Sequence, residues 1–259
     1  MTTALITGAT AGLGRGFAAA LAAKGHDVVL VARTQDRLDD VAGELHAEYG
    51  VSVQTLTADL SVRADVDRVA ARLTDAAAPI EVLVNNAGFG IEDAFTRSSV
   101  DDEQQLLDVL VVAVMRLTHA ALPGMIERRS GQVLNVSSVA GWITGSTYSA
   151  AKSWVTVFTE GLAGELAGTG VSATAVCPGF THTEFHQRAD MDISGVPEFM
   201  WLTTDQVVSQ ALKDADKGRV ISVAGRQYEA LSLVAQYLPR PLVRRISGGR
   251  RSGSGSAGK

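Results

Sequence analysis

Short apolar runs alternate along this chain with longer amphipathic stretches, and this alternation constrains its fold more than any other feature. The short runs are rich in valine, leucine, isoleucine and threonine, and their apolar positions are nearly continuous. Continuous apolar runs are typical of strands that are covered on both faces of a sheet. We therefore predict seven strands: Thr3–Thr7, Asp27–Ala32, Ser52–Thr57, Glu81–Val84, Gln132–Val136, Ser172–Val176 and Arg219–Val223.

The stretches between these strands have apolar residues at three-to-four spacing, as on an amphipathic helix. We predict six helices: Leu13–Lys24, Gln35–Tyr49, Val62–Ala76, Asp102–Arg128, Tyr148–Ala167 and Thr204–Ala215. Strands that alternate with helices specify right-handed crossovers, and hence a doubly wound parallel sheet with helices on both faces. The predicted fold class is therefore α/β.

The same alternation continues without a linker-like segment, so residues 1–247 are predicted to form one domain. The glycine, serine and arginine content of residues 248–259 predicts a disordered tail. The single cysteine, Cys177, cannot form an internal disulfide, and the N-terminus lacks the basic region of a signal peptide. No uncharged apolar run reaches roughly 18 residues. We therefore expect a cytoplasmic protein without a membrane-spanning helix.

Charge is distributed unevenly along the chain. The net charge of −5 combines 23 basic and 28 acidic residues, yet the six basic residues from position 240 onward have no acidic neighbour among them. The remaining body is strongly acidic and repels a phosphate backbone, so nucleic-acid binding is not expected. The basic C-terminus is expected to be solvated rather than bound to anionic lipid.

The first predicted strand leads directly into a glycine-rich turn, TGATAGLG at residues 7–14, after which a helix begins. Glycines permit a tight turn and a close approach of the backbone to a ligand. The N-terminus of the following helix presents unpaired N–H groups, which favour a pyrophosphate. The candidate cofactor-binding residues of this turn are Gly8, Thr10, Gly12, Leu13 and Gly14.

The end of the second predicted strand indicates which dinucleotide binds. A ribose 2′-hydroxyl is usually bound by an acidic residue at this position, whereas a 2′-phosphate requires cations. Here the strand ends in Ala32-Arg33, and no acidic residue follows until Asp36. Arg33 is suited to a charge-assisted contact with a phosphate. We therefore predict that NADP(H) is preferred, with NAD(H) as the alternative.

Three further motifs follow later strands, at the edge of the sheet where ligands bind in open α/β folds. They are Asp59-Leu60, Asn85-Asn86-Ala87-Gly88 and Tyr148-x-x-x-Lys152. With the TGxxxGxG spacing of the glycine turn, they make residues 1 to about 225 resemble the short-chain dehydrogenase/reductase family. The resemblance implies a Rossmann-type fold, a nicotinamide cofactor and a homodimer or homotetramer. It assigns to the cofactor five residues of these motifs: Asp59, Leu60, Asn86, Ala87 and Gly88.

Tyr148 and Lys152 are four residues apart and therefore share one face of the predicted helix. A nearby ammonium stabilises a phenolate, so we expect Lys152 to lower the pKa of Tyr148. Tyr148 then serves as general acid for a carbonyl oxygen or as general base for an alcohol. By resemblance, Lys152 also binds the nicotinamide ribose, and both residues contact the cofactor.

The family places a serine after the fifth strand to hold the substrate oxygen. Ser138 matches that pattern, and the adjacent Ser137 is the alternative. The interval from Ser138 to Tyr148 is about three residues shorter than is usual in the family. The loop at residues 142–147 is therefore expected to be abbreviated and the pocket wall more open.

A second departure from the family lies in the helix after the fourth predicted strand. The family usually has an asparagine there, which supports a water-mediated proton relay to the lysine. Alignment puts Leu110 at that position, and the three asparagines of the chain all lie elsewhere. Leucine cannot bind a water by hydrogen bonds, so the usual relay is expected to be absent.

The sequence CPGFTHT, residues 177–183, resembles the family's Pro-Gly turn, which contacts the nicotinamide carboxamide and the phosphates. Its candidate cofactor-binding residues are Pro178, Gly179, Thr181 and Thr183, and we prefer Thr183 to Thr181 for the threonine contact. His182, Glu184 and His186 do not have the HExxH order of a zinc site, so no metal is expected. The apolar residues between positions 184 and 202 favour a moderately hydrophobic substrate.

These observations lead to one main hypothesis and one rival. The main hypothesis is an NADP(H)-dependent oxidoreductase that transfers hydride between nicotinamide and a carbonyl or secondary alcohol, with Ser138, Tyr148 and Lys152 as catalytic residues. The rival is an NADP(H)-binding sensor or scaffold with little turnover, because Leu110 replaces the asparagine. The apolar stretch Leu106–Leu122 is expected either to form an oligomer surface or to be core. For Gln227–Ile246 we favour packing on a partner subunit over a membrane interface.

Overall fold

A computed structural model describes residues 2–91, 93–184, 195–239 and 241–244. Seven strands form one sheet in the order β3-β2-β1-β4-β5-β6-β7, and every pairing is parallel. The strands are β1 (Thr3–Thr7), β2 (Asp27–Ala32), β3 (Val53–Thr57), β4 (Val82–Asn85), β5 (Gly131–Val136), β6 (Val171–Val176) and β7 (Ile221–Ser222). The predicted doubly wound α/β fold is therefore confirmed.

The α-helices whose bounds are described are α1 (Gly12–Ala23), α2 (Gln35–Tyr49), α3 (Arg63–Leu73), α4 (Val100–Leu107), α5 (Val114–Arg128), α6 (Thr147–Glu165), α7 (Thr204–Asp216) and α8 (Arg226–Tyr237). The sheet separates two apolar cores. Phe17, Leu38 and Val208 pack on one face, and Val69 and Leu117 on the other. Helices therefore cover both faces, which explains why the strands are continuously apolar.

The strand order reverses between β1 and β4, which lie side by side although two strands separate them in sequence. The connections from β1 and β4 leave the sheet toward opposite faces, so a crevice opens at the carboxyl ends of these two strands. Ligands of open α/β folds bind at such a switch point. The glycine turn follows β1 and the Asn-Asn-Ala-Gly motif follows β4, so both border this crevice.

The predicted helix Asp102–Arg128 is not one regular α-helix. Six residues, Asp108–Ala113, form a π-helical segment between α4 and α5. π-Helical turns within α-helices occur frequently at functional sites. Leu110 lies inside this segment and is fully buried. The wider turn therefore occurs at the position where the sequence departs from the family pattern.

The continuous helical stretch Val100–Arg128 contains a window of 18 residues with a mean hydropathy of 1.8, so by length and composition it could cross a membrane. The sequence analysis counted only uncharged runs, whereas this stretch contains isolated charges; its length and hydropathy alone do not make it a membrane-spanning helix. Leu117, Ala121 and Met125 of this stretch are nevertheless buried against the sheet. Core helices also meet the length and hydropathy criteria, so one such helix is weak evidence of a span.

Two other predictions need adjustment at the C-terminal side. The predicted strand Arg219–Val223 is reduced to Ile221–Ser222, which pairs with the end of β6. The helix α8 was not among the six predicted helices, because Pro239 and Pro241 interrupt the pattern of Gln227–Ile246; it ends at Tyr237, before both prolines. The predicted tail, 248–259, lies outside the described residues.

Candidate active site

The glycine turn after β1 leaves no space for side chains at two positions. A Cβ on Gly14 would collide with the carbonyl oxygen of Gly8 and the side chain of Asn86. Gly12 has a φ of +50°, and a Cβ there would lie 3.1 Å from Cβ of Thr183. The helix α1 begins at Gly12, and its N-cap, Ala11, has no side chain that could bind the first N–H groups. The turn therefore fits a pyrophosphate, which accepts hydrogen bonds from such groups.

Asn86 and Thr7 join the ends of β4 and β1. Thr7 Oγ1 accepts hydrogen bonds from the backbone N–H groups of Asn86 and Ala87, at 2.9 and 3.0 Å. Asn86 Nδ2 donates to the carbonyl oxygen of Thr7 at 2.9 Å. The side-chain amide that was predicted to bind the cofactor thus holds the glycine turn against β4. Ala87 and Gly88 continue from it into the crevice.

The two candidates for the adenosine end of the cofactor differ in their environment. Arg33 follows β2 and is exposed, and among the described residues it has no hydrogen-bond or ion-pair partner. Asp59 Oδ1, in contrast, accepts hydrogen bonds from the Ser61 N–H at 2.9 Å and the Ser61 hydroxyl at 2.7 Å. Leu60 next to it is buried. Arg33 is therefore available to a 2′-phosphate, whereas Asp59 shapes its own turn.

Tyr148 and Lys152 lie in the first turns of α6, at the carboxyl end of β5. Lys152 Nζ lies 5.7 Å from the centroid of the Tyr148 ring. It donates a hydrogen bond of 2.6 Å to the carbonyl oxygen of Val136, the last residue of β5. Ser138 begins the next turn, and its side chain is hydrogen-bonded to Tyr148. The structure thus brings together the three side chains that were predicted to be catalytic.

Burial determines the ionisation of this group. Burial lowers the pKa of Lys152 to about 8. Burial also raises the pKa of Tyr148 to about 12, and the hydrogen bond with Ser138 offsets only part of that rise. The expectation that Lys152 lowers the pKa of Tyr148 was therefore wrong for this arrangement, because desolvation of the phenolate outweighs the effect of the neighbouring amine. Tyr148 therefore keeps its proton at neutral pH.

The two adjacent serines after β5 have different surroundings. Ser137 is almost completely buried, and its hydroxyl donates to the carbonyl oxygen of Lys152 at 2.7 Å. It also contacts Thr156 Oγ1 at 2.7 Å. Ser138 is partly exposed beside Tyr148. The geometry therefore favours Ser138 for the substrate oxygen and gives Ser137 the role of fixing α6 on β5.

A chain of buried polar side chains beneath the site was missed by the sequence analysis. Asn85 Nδ2 donates to Thr118 Oγ1 at 3.0 Å and to Asn135 Oδ1 at 2.9 Å, and Asn135 Nδ2 donates to Thr159 Oγ1 at 3.0 Å. These four residues link α5, β4, β5 and α6. The signal was present, because Asn85 at the end of β4 and Asn135, the residue before the last of β5, lie opposite each other in register.

Leu110 projects from the π-helical segment toward the catalytic group. It packs in a small apolar cluster with Leu106 and Ala151, against which Tyr148 also packs. A Cβ on Gly88 would lie 2.8 Å from Leu110 Cδ2 and 3.8 Å from Lys152 Nζ. Apolar side chains therefore occupy the side of the site where the family relay would require a polar one. This arrangement is consistent with the strong desolvation of Lys152.

The turn after β6 closes the other side of the crevice. Thr181 is buried and its hydroxyl donates to the carbonyl oxygen of Gly179 at 3.0 Å, whereas Thr183 lies beside Gly12. This placement favours Thr183 over Thr181 for a contact near the phosphates. The Pro178 carbonyl oxygen accepts a hydrogen bond of 3.1 Å from the Val139 N–H, which ties the turn to the end of β5.

Tyr228 of α8 is a residue that sequence reasoning did not single out. Its ring covers Gly179 so closely that a Cβ on that glycine would collide with it. Its hydroxyl donates to the carbonyl oxygen of Met200 at 2.7 Å and accepts from the Phe180 N–H at 2.9 Å. Tyr228 therefore connects α8, the β6 turn and the segment before α7.

The residues considered for a metal do not converge. His182 stacks on Trp201 with ring centroids 4.6 Å apart, and its Nε2 lies 3.6 Å from Glu198 Oε1. Glu184 lies 3.6 Å from Arg37, and His186 lies outside the described residues. In the part of the chain that the structure describes, no group of three metal-ligating side chains is found.

Comparison with known proteins identifies relatives of this arrangement. A family model described as short chain dehydrogenase matches residues 2–194. The chain is 33% identical to ketoacyl reductase HetN of Nostoc sp. over 87% of this chain and 78% of that protein. It is 36% identical to very-long-chain 3-oxoacyl-CoA reductase of Anas platyrhynchos, over 70% of this chain and 60% of that protein.

Two solved structures are similar to this chain over 95% or more of its length. A short-chain dehydrogenase from Sphingobium yanoikuyae in complex with NADPH has a TM-score of 0.83 and 32% identity, covering 100% of this chain and 99% of that one. A 7β-hydroxysteroid dehydrogenase has a TM-score of 0.86 and 25% identity, covering 95% and 96%. The chain therefore belongs to the short-chain dehydrogenase/reductase family and is an oxidoreductase of that family.

Proposed function

We propose that this protein is an NADPH-dependent carbonyl reductase in which Tyr148 donates the proton. The observation that carries the proposal is the placement of Ser138, Tyr148 and Lys152 at the carboxyl end of β5, where Tyr148 is hydrogen-bonded to Ser138 and lies beside Lys152. A protonated phenol suits the reduction of a carbonyl, which consumes a proton, better than the oxidation of an alcohol, which requires a base.

The residues of the crevice fit a dinucleotide with a 2′-phosphate. The glycine turn and the N-terminus of α1 suit the pyrophosphate, and exposed Arg33 suits the 2′-phosphate. When bound, the nicotinamide ring supplies the hydride. The NADPH complex of the Sphingobium relative supports this choice, and NAD(H) remains the alternative cofactor.

The catalytic side chains have distinct tasks in this proposal. The Ser138 hydroxyl orients the substrate carbonyl oxygen toward Tyr148, and Tyr148 transfers its proton to that oxygen. The Lys152 ammonium has three N–H groups, and among the described residues one of them donates a hydrogen bond, to the carbonyl oxygen of Val136. Its remaining N–H groups are available to the cofactor ribose and keep the ammonium beside the phenol as its proton leaves.

A 3-oxoacyl thioester is the proposed class of substrate. One relative of more than 30% identity is named a ketoacyl reductase, and another is named a very-long-chain 3-oxoacyl-CoA reductase. Beside Tyr148, the half-buried Phe89 and Ile91 pack against the buried Leu106 and Leu110, so this side of the site is apolar. Such a surface suits an acyl chain better than a sugar.

The test is NADPH oxidation, followed at the nicotinamide absorbance, with 3-oxoacyl thioesters of increasing chain length, a bulky ketone and a 7-oxo steroid. The proposal predicts turnover of 3-oxoacyl thioesters with NADPH and less with NADH. Turnover of the ketone or the steroid, without turnover of the thioesters, would reject the proposed substrate class. The proposal that the protein is a carbonyl reductase would then still stand. Absence of turnover with every substrate, despite tight NADPH binding, would favour the NADP(H)-binding sensor or scaffold, which buried Leu110 motivates.

We also propose that the protein is cytoplasmic and forms a homodimer or homotetramer through α5 and α6. Leu117 and Leu110 of the stretch Leu106–Leu122 are core, but Met115 and, on α6, Val157 are exposed apolar residues. Multi-angle light scattering would measure the mass of the particle. Val157→Glu is expected to reduce that mass, and a monomeric parent protein would contradict the proposal.

A further inference from the structure

The β6 turn, residues 178–183, runs along the crevice from the catalytic group to the glycine turn. At its beginning, the Pro178 carbonyl oxygen accepts a hydrogen bond of 3.1 Å from the N–H of Val139, which follows the candidate catalytic serine. At its end, Thr183 lies beside Gly12, where a Cβ would be 3.1 Å from Cβ of Thr183. A dinucleotide with its pyrophosphate at the glycine turn and its nicotinamide at the catalytic group would therefore lie along the β6 turn.

The β6 turn is paired with the segment that precedes α7. The Leu202 N–H donates a hydrogen bond to the carbonyl oxygen of Phe180, and the His182 N–H donates one to the carbonyl oxygen of Leu202, both at 2.9 Å. Thr181 and Leu202 form a parallel bridge outside the main sheet. The two segments therefore form one small ladder, and the position of the β6 turn depends on whatever holds this ladder in place.

Tyr228 of α8 holds the ladder at one end. Its hydroxyl accepts a hydrogen bond from the Phe180 N–H at 2.9 Å and donates one to the Met200 carbonyl oxygen at 2.7 Å, so a single group joins both segments. Its ring covers Gly179, where a Cβ would collide with it. Because Tyr228 is only 1% exposed, water does not readily replace these two hydrogen bonds when the hydroxyl is removed.

The helix that carries Tyr228 also contacts the neighbouring wall of the crevice. A short 3₁₀ helix, Val139–Trp142, begins directly after Ser138, and α8 packs against it. One helix therefore touches the segments that follow both β5 and β6. These two segments contain the candidate catalytic serine and the β6 turn, so the contacts of α8 determine how the serine and the turn lie relative to each other.

We propose that Tyr228 is a positioning residue, which acts through the β6 turn to hold the nicotinamide half of the cofactor against Ser138 and Tyr148. The adenosine end, at Arg33, follows β2, which is four strands away from β6 in the sheet. At a strand spacing of about 4.8 Å, that separation is about 19 Å. The Tyr228 hydroxyl should therefore affect one half of the cofactor only. This inference rests on the proposed binding of NADPH and is independent of the proposed substrate.

The test is Tyr228→Phe, which removes the hydroxyl and keeps the ring over Gly179. Fluorescence titration measures the Kd of NADPH, whose emission comes from the reduced nicotinamide. Calorimetric titration measures the Kd of adenosine 2′,5′-bisphosphate, which lacks the nicotinamide half. Since two buried hydrogen bonds are lost, the Kd of NADPH is expected to rise by about tenfold, while the Kd of the bisphosphate stays at the parent value. An equal rise for both ligands, or a rise for neither, would overturn the proposal.

The matched control is Thr174→Val in the middle of β6. It also removes a buried hydroxyl, which donates to the carbonyl oxygen of Arg219 at 2.8 Å, but it leaves the β6 turn unchanged. Urea unfolding is expected to show a loss of stability in both variants, and both titrations are expected to give parent values for Thr174→Val. If Thr174→Val weakens NADPH as much as Tyr228→Phe does, lost stability explains the effect and the proposal is wrong.

A double-variant cycle with Gly179→Ala tests whether Tyr228 acts through the turn. The added Cβ collides with the Tyr228 ring and must separate the ring from the turn, so Gly179→Ala alone is expected to weaken NADPH at least as much as Tyr228→Phe. Adding Tyr228→Phe to Gly179→Ala should then raise the Kd by less than about twofold further, because the contact is already lost. Losses that multiply in the double variant would overturn the proposal.

The same titrations separate this inference from the proposed function. A parent protein that does not bind NADPH would overturn the proposed cofactor and, with it, the role of Tyr228. A parent protein that binds NADPH with the same Kd as Tyr228→Phe would overturn the role of Tyr228 alone.

Discussion

The end of the crevice proposed for the phosphates and the end proposed for catalysis are built from different parts of the polypeptide. At the proposed phosphate end, the backbone N–H groups at the start of α1 and the absence of side chains at Gly12 and Gly14 leave room for a ligand. At the catalytic end, the side chains of Tyr148 and Lys152 create it, and burial sets their pKa values. The geometry of the glycine turn depends on local sequence, whereas the pKa values of Tyr148 and Lys152 depend on all the residues that pack around them. The predictions below separate these two kinds of dependence.

The largest effect is expected at the phosphate end for Gly14→Ala. The added Cβ would collide with the Gly8 carbonyl oxygen and Asn86, so the turn must shift away from the helix N-terminus. Overpacking of this kind typically costs about 1–3 kcal/mol of stability. Urea unfolding is expected to show this loss in the free energy of unfolding. Fluorescence titration is expected to show that most of the affinity for NADPH is lost.

The control for this prediction is Gly43→Ala in the middle of α2. A Cβ there meets nothing within 4 Å, so the substitution is expected to stabilise the helix by about 0.5–1 kcal/mol. NADPH affinity that is equal in the two variants would contradict the role of the glycine turn.

The next effect concerns the choice of cofactor. Arg33→Ala removes an exposed cation that has no ion-pair partner among the described residues. A hydrogen bond to a charged group contributes about 1.5–3 kcal/mol, so NADPH affinity should fall by roughly 10- to 100-fold while NADH affinity changes little. Arg37→Ala is the control, because Arg37 already faces Glu184 at 3.6 Å. An equal loss for both cofactors would reject the assignment of Arg33.

A third prediction tests the support of the catalytic end. Asn135→Ala removes one of the two acceptors of Asn85 Nδ2, leaving only Thr118, and it removes the donor to Thr159 Oγ1. A buried polar group without a partner costs about 1–3 kcal/mol. Urea unfolding should show this loss, and kcat should fall as well because α6 is tied to β5 through the same chain. Asn135→Asp would test whether an acceptor alone restores stability.

The smallest effect is a pH dependence of stability that Lys152 causes. Its pKa in the folded protein, about 8, lies below the value of 10.5 for an unperturbed lysine. Between pH 8 and 10.5 the lysine therefore keeps its proton in the unfolded chain but loses it in the folded protein. The unfavourable contribution of buried Lys152 to stability accordingly becomes smaller as pH rises through this range. Relative to Lys152→Met, the parent should gain about 1 kcal/mol between pH 8 and 9 in urea unfolding. A constant difference, or one of opposite sign, would contradict the dry environment of Lys152.

The sequence predicted the seven-stranded sheet and the glycine turn well, because each depends on short-range patterns. It also named Ser138, Tyr148 and Lys152, which the fold brings together. It did not predict the direction of the pKa shift of Tyr148, since spacing on a helix says nothing about desolvation. It missed the π-helical segment at Leu110 and the contact of Tyr228 with Gly179, because both arise from packing between distant segments.

The central claim is that Tyr148 is the proton donor of a carbonyl reductase, and Tyr148→Phe tests it most directly. The measurement is kcat/KM for NADPH-dependent reduction of a 3-oxoacyl thioester, with Tyr237→Phe at an exposed tyrosine as control. General acid catalysis contributes about 10²- to 10⁴-fold to a rate, so kcat/KM of Tyr148→Phe should fall by a factor in that range while NADPH still binds. The control Tyr237→Phe should keep the kcat/KM of the parent protein. Retention of most activity by Tyr148→Phe would contradict the account.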